Sequence, residues 1–341
     1  MMTDDVLTLT APSGATAQIA LQRGFNLFRL ALPAGNETVE AIAAEPEFPA
    51  GGKPSHSGIP LLFPFPNRIR AGEFVTEQQS SHLLPLGDGP GEARDDGAGN
   101  AIHGFAFDRP WTLTRQDESS ATAEFLMSKD DPDRAALWPG DGRLTARYEL
   151  TADGLRCDLT VENLGDEPMP FGLGTHPYFA LPVGSTSGDG AAADCTVTVP
   201  AAARYELIGG IPTGEILPLE DDYDLRDGPR YGSLELDDVY TQVAATPDDP
   251  GMIESVIANP ANGLRIVQRC DAAFREQVVF TPPWFREGEA RSATKGAICI
   301  EPYTCATDAV NLEQGGADAG WRTLEPGGRF ETWFEIVVTA G

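Results

Sequence analysis

Leu144-Thr145-Ala146-Arg147-Tyr148-Glu149-Leu150 runs into Thr151-Ala152-Asp153-Gly154 and then Leu155-Arg156-Cys157-Asp158-Leu159-Thr160-Val161. Apolar and polar residues alternate with period two on both sides of an Asp-Gly turn. That pattern predicts a β-hairpin with one buried face. Working outward, Ala121-Ala123-Phe125-Met127 alternates in the same way after a turn-like stretch at 116–120. Phe330-Thr332-Phe334-Ile336-Val338 does so near the end of the chain. Residues 6–10 and 17–21 flank Pro12-Ser13-Gly14, a further strand–turn–strand signal. With 37 Gly and 28 Pro spread over 341 residues, few stretches can run three helical turns unbroken. Many short strands without βαβ alternation predict an all-β sandwich or barrel, mostly antiparallel with few short helices. No repeat or composition break marks a linker, so residues 1–341 are read as one domain. Two small, polar, Gly-rich stretches, 87–100 and 184–193, read as loops or insertions.

Charge narrows the function classes. Lys+Arg is 24 against Asp+Glu 52, a net charge of -28, and that field repels phosphate backbones and anionic lipid. No nucleic-acid or membrane partner is expected. The five cysteines (Cys157, Cys195, Cys270, Cys299, Cys305) are scattered, with no Cys-x-x-Cys pair. They read as reduced, buried thiols of a cytoplasmic protein. The acidic start Met1-Met2-Thr3-Asp4-Asp5 does not read as a signal peptide, and no apolar run approaches the ~20 residues of a membrane helix.

Cofactor signatures fail on inspection. Gly172-Leu173-Gly174-Thr175-His176-Pro177 lacks the third glycine of a dinucleotide loop, and no Walker-type Gly-Lys-Ser/Thr occurs. Gly184-Ser185-Thr186-Ser187-Gly188 has Thr where a nucleophile elbow needs Ser. The acidic run at 221–227 places Arg226 where a calcium loop needs an oxygen ligand. No cofactor and no metal are expected.

What remains is a short set of polar residues in apolar settings. Two of the four histidines, His103 and His176, sit among apolar neighbours, where a hydrogen-bonded structural role is the ordinary reading. His56 and His82 lie in polar text and read as surface residues. Arg68 ends the proline-stiffened segment Gly58-Ile59-Pro60-Leu61-Leu62-Phe63-Pro64-Phe65-Pro66-Asn67-Arg68-Ile69. It needs a carboxylate or a polar ligand there. Asp237 and Asp238 stand inside a strand-like pattern, where acids are usually solvated. Glu301 is the lone acid of Ala297-Ile298-Cys299-Ile300-Glu301-Pro302-Tyr303 and must be paired or functional.

Taken in order, these segments resemble the aldose 1-epimerase (galactose mutarotase) family. The resemblance rests on the 58–69 segment, Asn100-Ala101-Ile102-His103-Gly104-Phe105, Trp138-Pro139 with Tyr148-Glu149-Leu150, Thr175-His176-Pro177-Tyr178-Phe179, Leu236-Asp237-Asp238-Val239-Tyr240 and Ile300-Glu301-Pro302-Tyr303-Thr304. It implies a galactose mutarotase-like β-supersandwich acting as an aldose 1-epimerase on a free monosaccharide of the glucose or galactose class. By matching position, Glu301 is the expected catalytic base and His176 the expected acid. Arg68, His103, Asp237 (preferred over Asp238), Asn67 and Tyr178 are the expected substrate-binding residues. Phe65, Tyr178 and Trp284 are candidates to stack on a pyranose face, with an ordinary core role the equal alternative for Phe65 and Trp284. Nearby carboxylates are expected to raise the His176 pKa, and Arg68 to keep Glu301 ionised.

Three alternatives stay open: a sugar-binding or regulatory protein of the same fold without turnover, a hexose-6-phosphate 1-epimerase using Arg68 and Arg70, and a lyase or hydrolase with a carboxylate pair. A monomer or homodimer is expected.

Overall fold

In the computed structural model, which describes residues 6–76, 80–185 and 191–341, the deciding hairpin forms as read. Strands Gly142–Leu150 and Gly154–Asn163 pair antiparallel with Tyr148 opposite Cys157 and Leu150 opposite Leu155. Leu144, Ala146, Tyr148, Leu150, Leu155, Cys157, Leu159 and Val161 are all buried, while the alternate residues are partly exposed.

The hairpin sits inside an eight-stranded antiparallel sheet. Its order runs Thr112–Gln116, Ser120–Leu126, Gly142–Leu150, Gly154–Asn163, Arg329–Ala340, Leu264–Asp271, Met252–Ala258 and Thr196–Thr198. The C-terminal strand therefore lies at the centre, held by Gly154–Asn163 on one side and Leu264–Asp271 on the other. Met127, read as strand, instead opens the short helix Met127–Asp130. There the Asp130 carboxylate accepts the Leu126 N–H (2.8 Å) and turns the chain before Pro132. Among the described residues the only α-helices are this one, Pro132–Ala135 and Ala309–Gln314, and none is long and apolar enough to cross a membrane. At the N-terminus the second strand spans Thr16–Ala20 and belongs to a separate four-stranded sheet.

A second sheet carries the chemistry-bearing motifs. Its order is Ile211–Pro218, Ala201–Ile208, Asp237–Val243, Glu276–Phe280, Gly296–Tyr303, Gly174–Thr175 and Leu61–Leu62, with Tyr178–Leu181 also paired to Gly296–Tyr303. One face of this sheet supplies Ile298, Ile300, Val279 and Tyr240 to the same apolar core that takes Tyr148, Phe125, Phe334 and Ile336 from the first sheet. Every residue of Gly296–Tyr303 is buried, because the other face is covered too. Phe65 belongs to the shared core: it stacks on Trp138 (5.6 Å, 20°) and packs edge-on against Phe105. It does not offer a sugar platform, since its aromatic faces are already covered.

The 87–100 stretch is ordered by its own acids. Asp96 accepts the backbone N–H groups of Ala98 and Asn100, and Asp95 those of Gly97 and Gly99. Of the 184–193 stretch, residues 186–190 lie outside the described residues. Ala192 and Ala193 both donate to the Ala293 carbonyl (3.1 Å). All five cysteines are buried and free.

Candidate active site

Period two places Cys299, Glu301 and Tyr303 on one face of Gly296–Tyr303, with Val278 opposite Glu301 and Phe280 opposite Cys299. On the other flank Gly174 pairs with Tyr303 and Tyr178 with Cys299. Between those two pairs the chain passes through His176-Pro177, so the register brings His176 level with Glu301. His176 Nε2 lies 3.3 Å from Glu301 Oε1, with both side chains buried. The Tyr303 hydroxyl donates to the other carboxylate oxygen, Oε2. The His176 ring stacks on Tyr178 (4.8 Å, 10°), whose hydroxyl donates to the Ser55 carbonyl (2.6 Å).

A two-strand ladder supplies the neighbouring wall. Arg68 pairs with Ile102, and the His103 N–H donates to the Asn67 carbonyl (2.7 Å). Asn67 (φ 50°) and His103 (φ 66°) both adopt the left-handed conformation, an uncommon choice outside glycine that turns the two side chains out of the ladder. Gly104 follows at φ 69°, where a Cβ would lie 2.4 Å from the Phe63 carbonyl oxygen; no other residue fits. The Arg68 guanidinium donates to Asp96 Oδ2 and Asn67 Oδ1 (2.9 Å each) and lies 3.8 Å from Asp237 Oδ2. A Cβ on Gly210, at the tip of the hairpin between Ala201–Ile208 and Ile211–Pro218, would stand 3.0 Å from that guanidinium. Asp237 opens its strand with a half-exposed carboxylate. Asp238 turns the other way, onto Arg204 (3.3 Å).

All seven site residues read from the sequence, Asn67, Arg68, His103, His176, Tyr178, Asp237 and Glu301, line one cleft of ≈ 680 Å³. Trp284, 44% exposed, lines it as well and stacks on His56 (4.2 Å, 17°). His56 is thus a wall of the cleft rather than a surface residue, and its ring nitrogen faces Glu45 (3.3 Å). His82 is not a free surface residue either, because it stacks on Phe74 (4.9 Å, 15°). Arg70 stays out of the cleft lining: its side chain is largely exposed and reaches Asp308 at 3.4 Å.

Electrostatics depart from expectation. Burial pushes the Glu301 carboxyl well above its usual range; the Tyr303 hydroxyl pulls it down, Asp237 pushes it up and Arg68 pulls it down. Burial likewise lowers His176 to about 3 and takes His103 well below an ordinary histidine. Desolvation therefore outweighs the attraction of nearby carboxylates for an imidazolium. Arg68 spends its hydrogen bonds on Asp96 and Asn67, so the direct donor to Glu301 is Tyr303. Tyr303 was legible in principle, since it stands two residues from Glu301 on the same strand face. Asp96 was not, because nothing in an acidic, Gly-rich loop marks one carboxylate as buried. His176, Cys299 and Glu301 each place one ligand atom within 4.8 Å of the others, a grouping that could hold a cation.

The family model described as Aldose 1-epimerase matches residues 5–337. The uncharacterized protein YihR of Escherichia coli K12 is 24% identical over 261 residues, covering 74% of this chain and 71% of YihR. The uncharacterized protein YphB of the same organism is 28% identical over 120 residues, a match that takes in 36% of YphB and 35% of this chain. Among solved structures, a galactose mutarotase-like protein from Clostridium acetobutylicum has a TM-score of 0.79 at 21% identity, covering 97% of this chain and 94% of that one. A GalM/aldose epimerase homologue from C. elegans has a TM-score of 0.74 at 17% identity, with 98% of each chain covered. At those identities the structures establish the galactose mutarotase-like fold, and the match to the family model from one end of the described residues almost to the other establishes the lineage: the chain belongs to the aldose 1-epimerase family.

Proposed function

We propose that the protein is an aldose 1-epimerase that interconverts the α and β anomers of a free hexose. The observation that carries this reading is the 3.3 Å approach of a buried imidazole to a buried carboxylate on a cleft floor flanked by Arg68, Asn67, His103 and Asp237. Ring opening removes the proton from the C1 hydroxyl and protonates the ring oxygen as the C1–O bond breaks. Rotation about C1–C2 then presents the other face of the aldehyde, and the two groups exchange roles as the ring closes. Glu301 takes the C1 hydroxyl proton and His176 delivers one to the ring oxygen. Arg68, Asn67, His103 and Asp237 hold ring hydroxyls, and Tyr178 backs the His176 ring.

Burial favours the neutral arrangement of the pair, with carboxylic acid beside imidazole. The reactive arrangement, carboxylate beside imidazolium, holds the same single proton and the same net charge. Moving one proton between neighbours reaches it, with no uptake from solvent.

On this reading residues 1–341 work as one domain, a cytoplasmic monomer or homodimer needing no cofactor. Retention of both an acid and a base favours turnover over a purely sugar-binding role. The position of Arg70 outside the cleft removes one support for a phosphorylated substrate. Polarimetry on freshly dissolved α-glucose and α-galactose tests the proposal. Faster decay of optical rotation with enzyme supports it, and no acceleration with any free aldose would sink it.

A further inference from the structure

We propose that the cleft floor is also a binding site for a thiophilic divalent cation such as Zn²⁺, held by the His176 imidazole, the Cys299 thiolate and one Glu301 carboxylate oxygen. Its occupancy blocks turnover, a consequence that rests on the mutarotase reading above. Cys299 and Glu301 share a strand face two residues apart, and His176 is brought level with Glu301 by the register on the other flank. All three side chains are buried. Their ligand atoms lie within 4.8 Å of one another. Zinc bound at about 2.0–2.3 Å to N, O and S needs tetrahedral neighbours on the order of 3.5 Å apart. A side-chain rotation on the order of 1 Å closes the difference.

The donor set decides which cation fits. One thiolate, one imidazole and one carboxylate suit Zn²⁺ or Cd²⁺, whereas Mg²⁺ and Ca²⁺ require oxygen ligands. Binding displaces two protons to solvent, one from the Cys299 thiol and the one that burial keeps on Glu301, and involves no redox step. Glu301 and His176 line the cleft, so the fourth coordination position opens toward it, where water or a sugar hydroxyl would sit. Tyr303, already donating to Glu301 Oε2, supports the ligating carboxylate from behind. By contrast, among the described residues no partner holds His176 Nδ1. Resident sites normally secure the second ring nitrogen, so this one suits a reversible occupant. The net charge of -28 concentrates cations around the protein and favours their entry.

The test titrates metal-free protein with ZnCl₂ or CdCl₂. Cd²⁺ should produce a thiolate-to-metal charge-transfer absorption at one equivalent, lost in Cys299→Ser and Cys299→Ala and kept in Cys305→Ala. Saturating Zn²⁺ should lower mutarotation at least tenfold, with recovery on adding a chelator. Cys299→Ser should keep its metal-free rate within about twofold and require at least tenfold more Zn²⁺ for half-inhibition. Absence of the band in wild type, or its persistence in both Cys299 variants, overturns the site. Equal Zn²⁺ sensitivity in wild type and a folded Cys299 variant overturns it too. A Cys299-dependent band in a protein with no mutarotation at all leaves the metal site standing and removes the mutarotase reading instead.

Discussion

Two buried carboxylate clusters flank the same cleft, and their oxygens are satisfied differently. On the outer wall, Asp108 and Asp131 are enclosed by guanidinium groups. Asp108 accepts from Arg94 (2.8 Å) and Arg134 (3.0 Å), while Asp131 accepts from Arg109 (3.1 Å) and Arg134. Arg134 is itself only 1% exposed and lies over the Phe105 ring. On the floor, Glu301 is equally buried, but its polar partners among the described residues are a tyrosine hydroxyl and a histidine ring. Enclosure by guanidinium groups ties up a buried carboxylate's oxygens in ion pairs. Matching by a hydroxyl and an imidazole leaves a carboxylate that holds a proton and can pass it on. The first arrangement holds the wall, and the second is suited to proton transfer.

The largest way to break this comparison is at Arg134. Arg134→Met removes the guanidinium shared by Asp108 and Asp131 and should cost about 3–5 kcal/mol of stability, the usual penalty for stranding buried charge. Chemical denaturation measures it, and kcat/KM per folded molecule should stay within about threefold of wild type. A loss under about 1 kcal/mol would mean that Arg94 and Arg109 already neutralise the cluster.

Glu301→Gln and His176→Asn should behave in the opposite way, lowering kcat by about 10²-fold or more without a comparable loss of stability. The sign of the stability effect is fixed for Glu301. Its folded pKa is raised above the ordinary 4.5, so the stability gained by its protonation is complete below about 4.5 and is lost as pH rises through the folded value. Glu301→Gln should therefore gain on wild type in denaturation experiments as pH increases. A variant that becomes less stable than wild type at pH 8 contradicts the under-solvated carboxylate.

The pH–rate profile sharpens the contrast further. The sequence led us to expect a His176 acid of raised pKa and an ionised Glu301 base, whereas burial reverses both proton affinities. The active pair holds one proton. Its acid limb reports a second proton reaching His176, whose pKa is lowered to about 3, and its alkaline limb reports loss of the proton that burial keeps on Glu301. Because the Tyr303 hydroxyl stabilises the carboxylate, Tyr303→Phe should move the alkaline limb of kcat/KM to higher pH. A change in rate with unmoved limbs would leave Tyr303 a packing residue only.

The smallest expected effect separates two adjacent acids. Asp237→Asn should raise KM several-fold, because its carboxylate faces the cleft beside Arg68. Asp238→Asn, paired with Arg204 away from the cleft, should leave KM unchanged. Equal effects at both positions would remove Asp237 from the binding set.

How much of this was legible varies with the range of the interaction. Alternation around Asp153-Gly154 specified the hairpin because side-chain period and turn chemistry are local properties. The ordered segments from Gly58 to Tyr303 identified every residue proposed here to meet the sugar, because each sits in a locally distinctive stretch. Phe65 stayed undecided between core and sugar platform, since whether an aromatic face is free depends on Trp138 and Phe105, far away in the chain. The direction of the His176 proton affinity was misjudged, and the donor on which an ionised Glu301 depended went elsewhere, for a related reason. Desolvation depends on what covers the second face of Gly296–Tyr303, and no property of that strand reveals its cover.

The sequence alone therefore determined the all-β character, the family resemblance and the identities of the acid and base candidates. Only the tertiary structure decided that Asp96 rather than Glu301 takes Arg68, and that Tyr303 and His176 are left to hold the Glu301 carboxylate. It alone brought Cys299 within reach of both. The physical reason is that hydrogen-bond partners and burial are set by register between strands distant in sequence, whereas period, turns and motifs are written within a few residues.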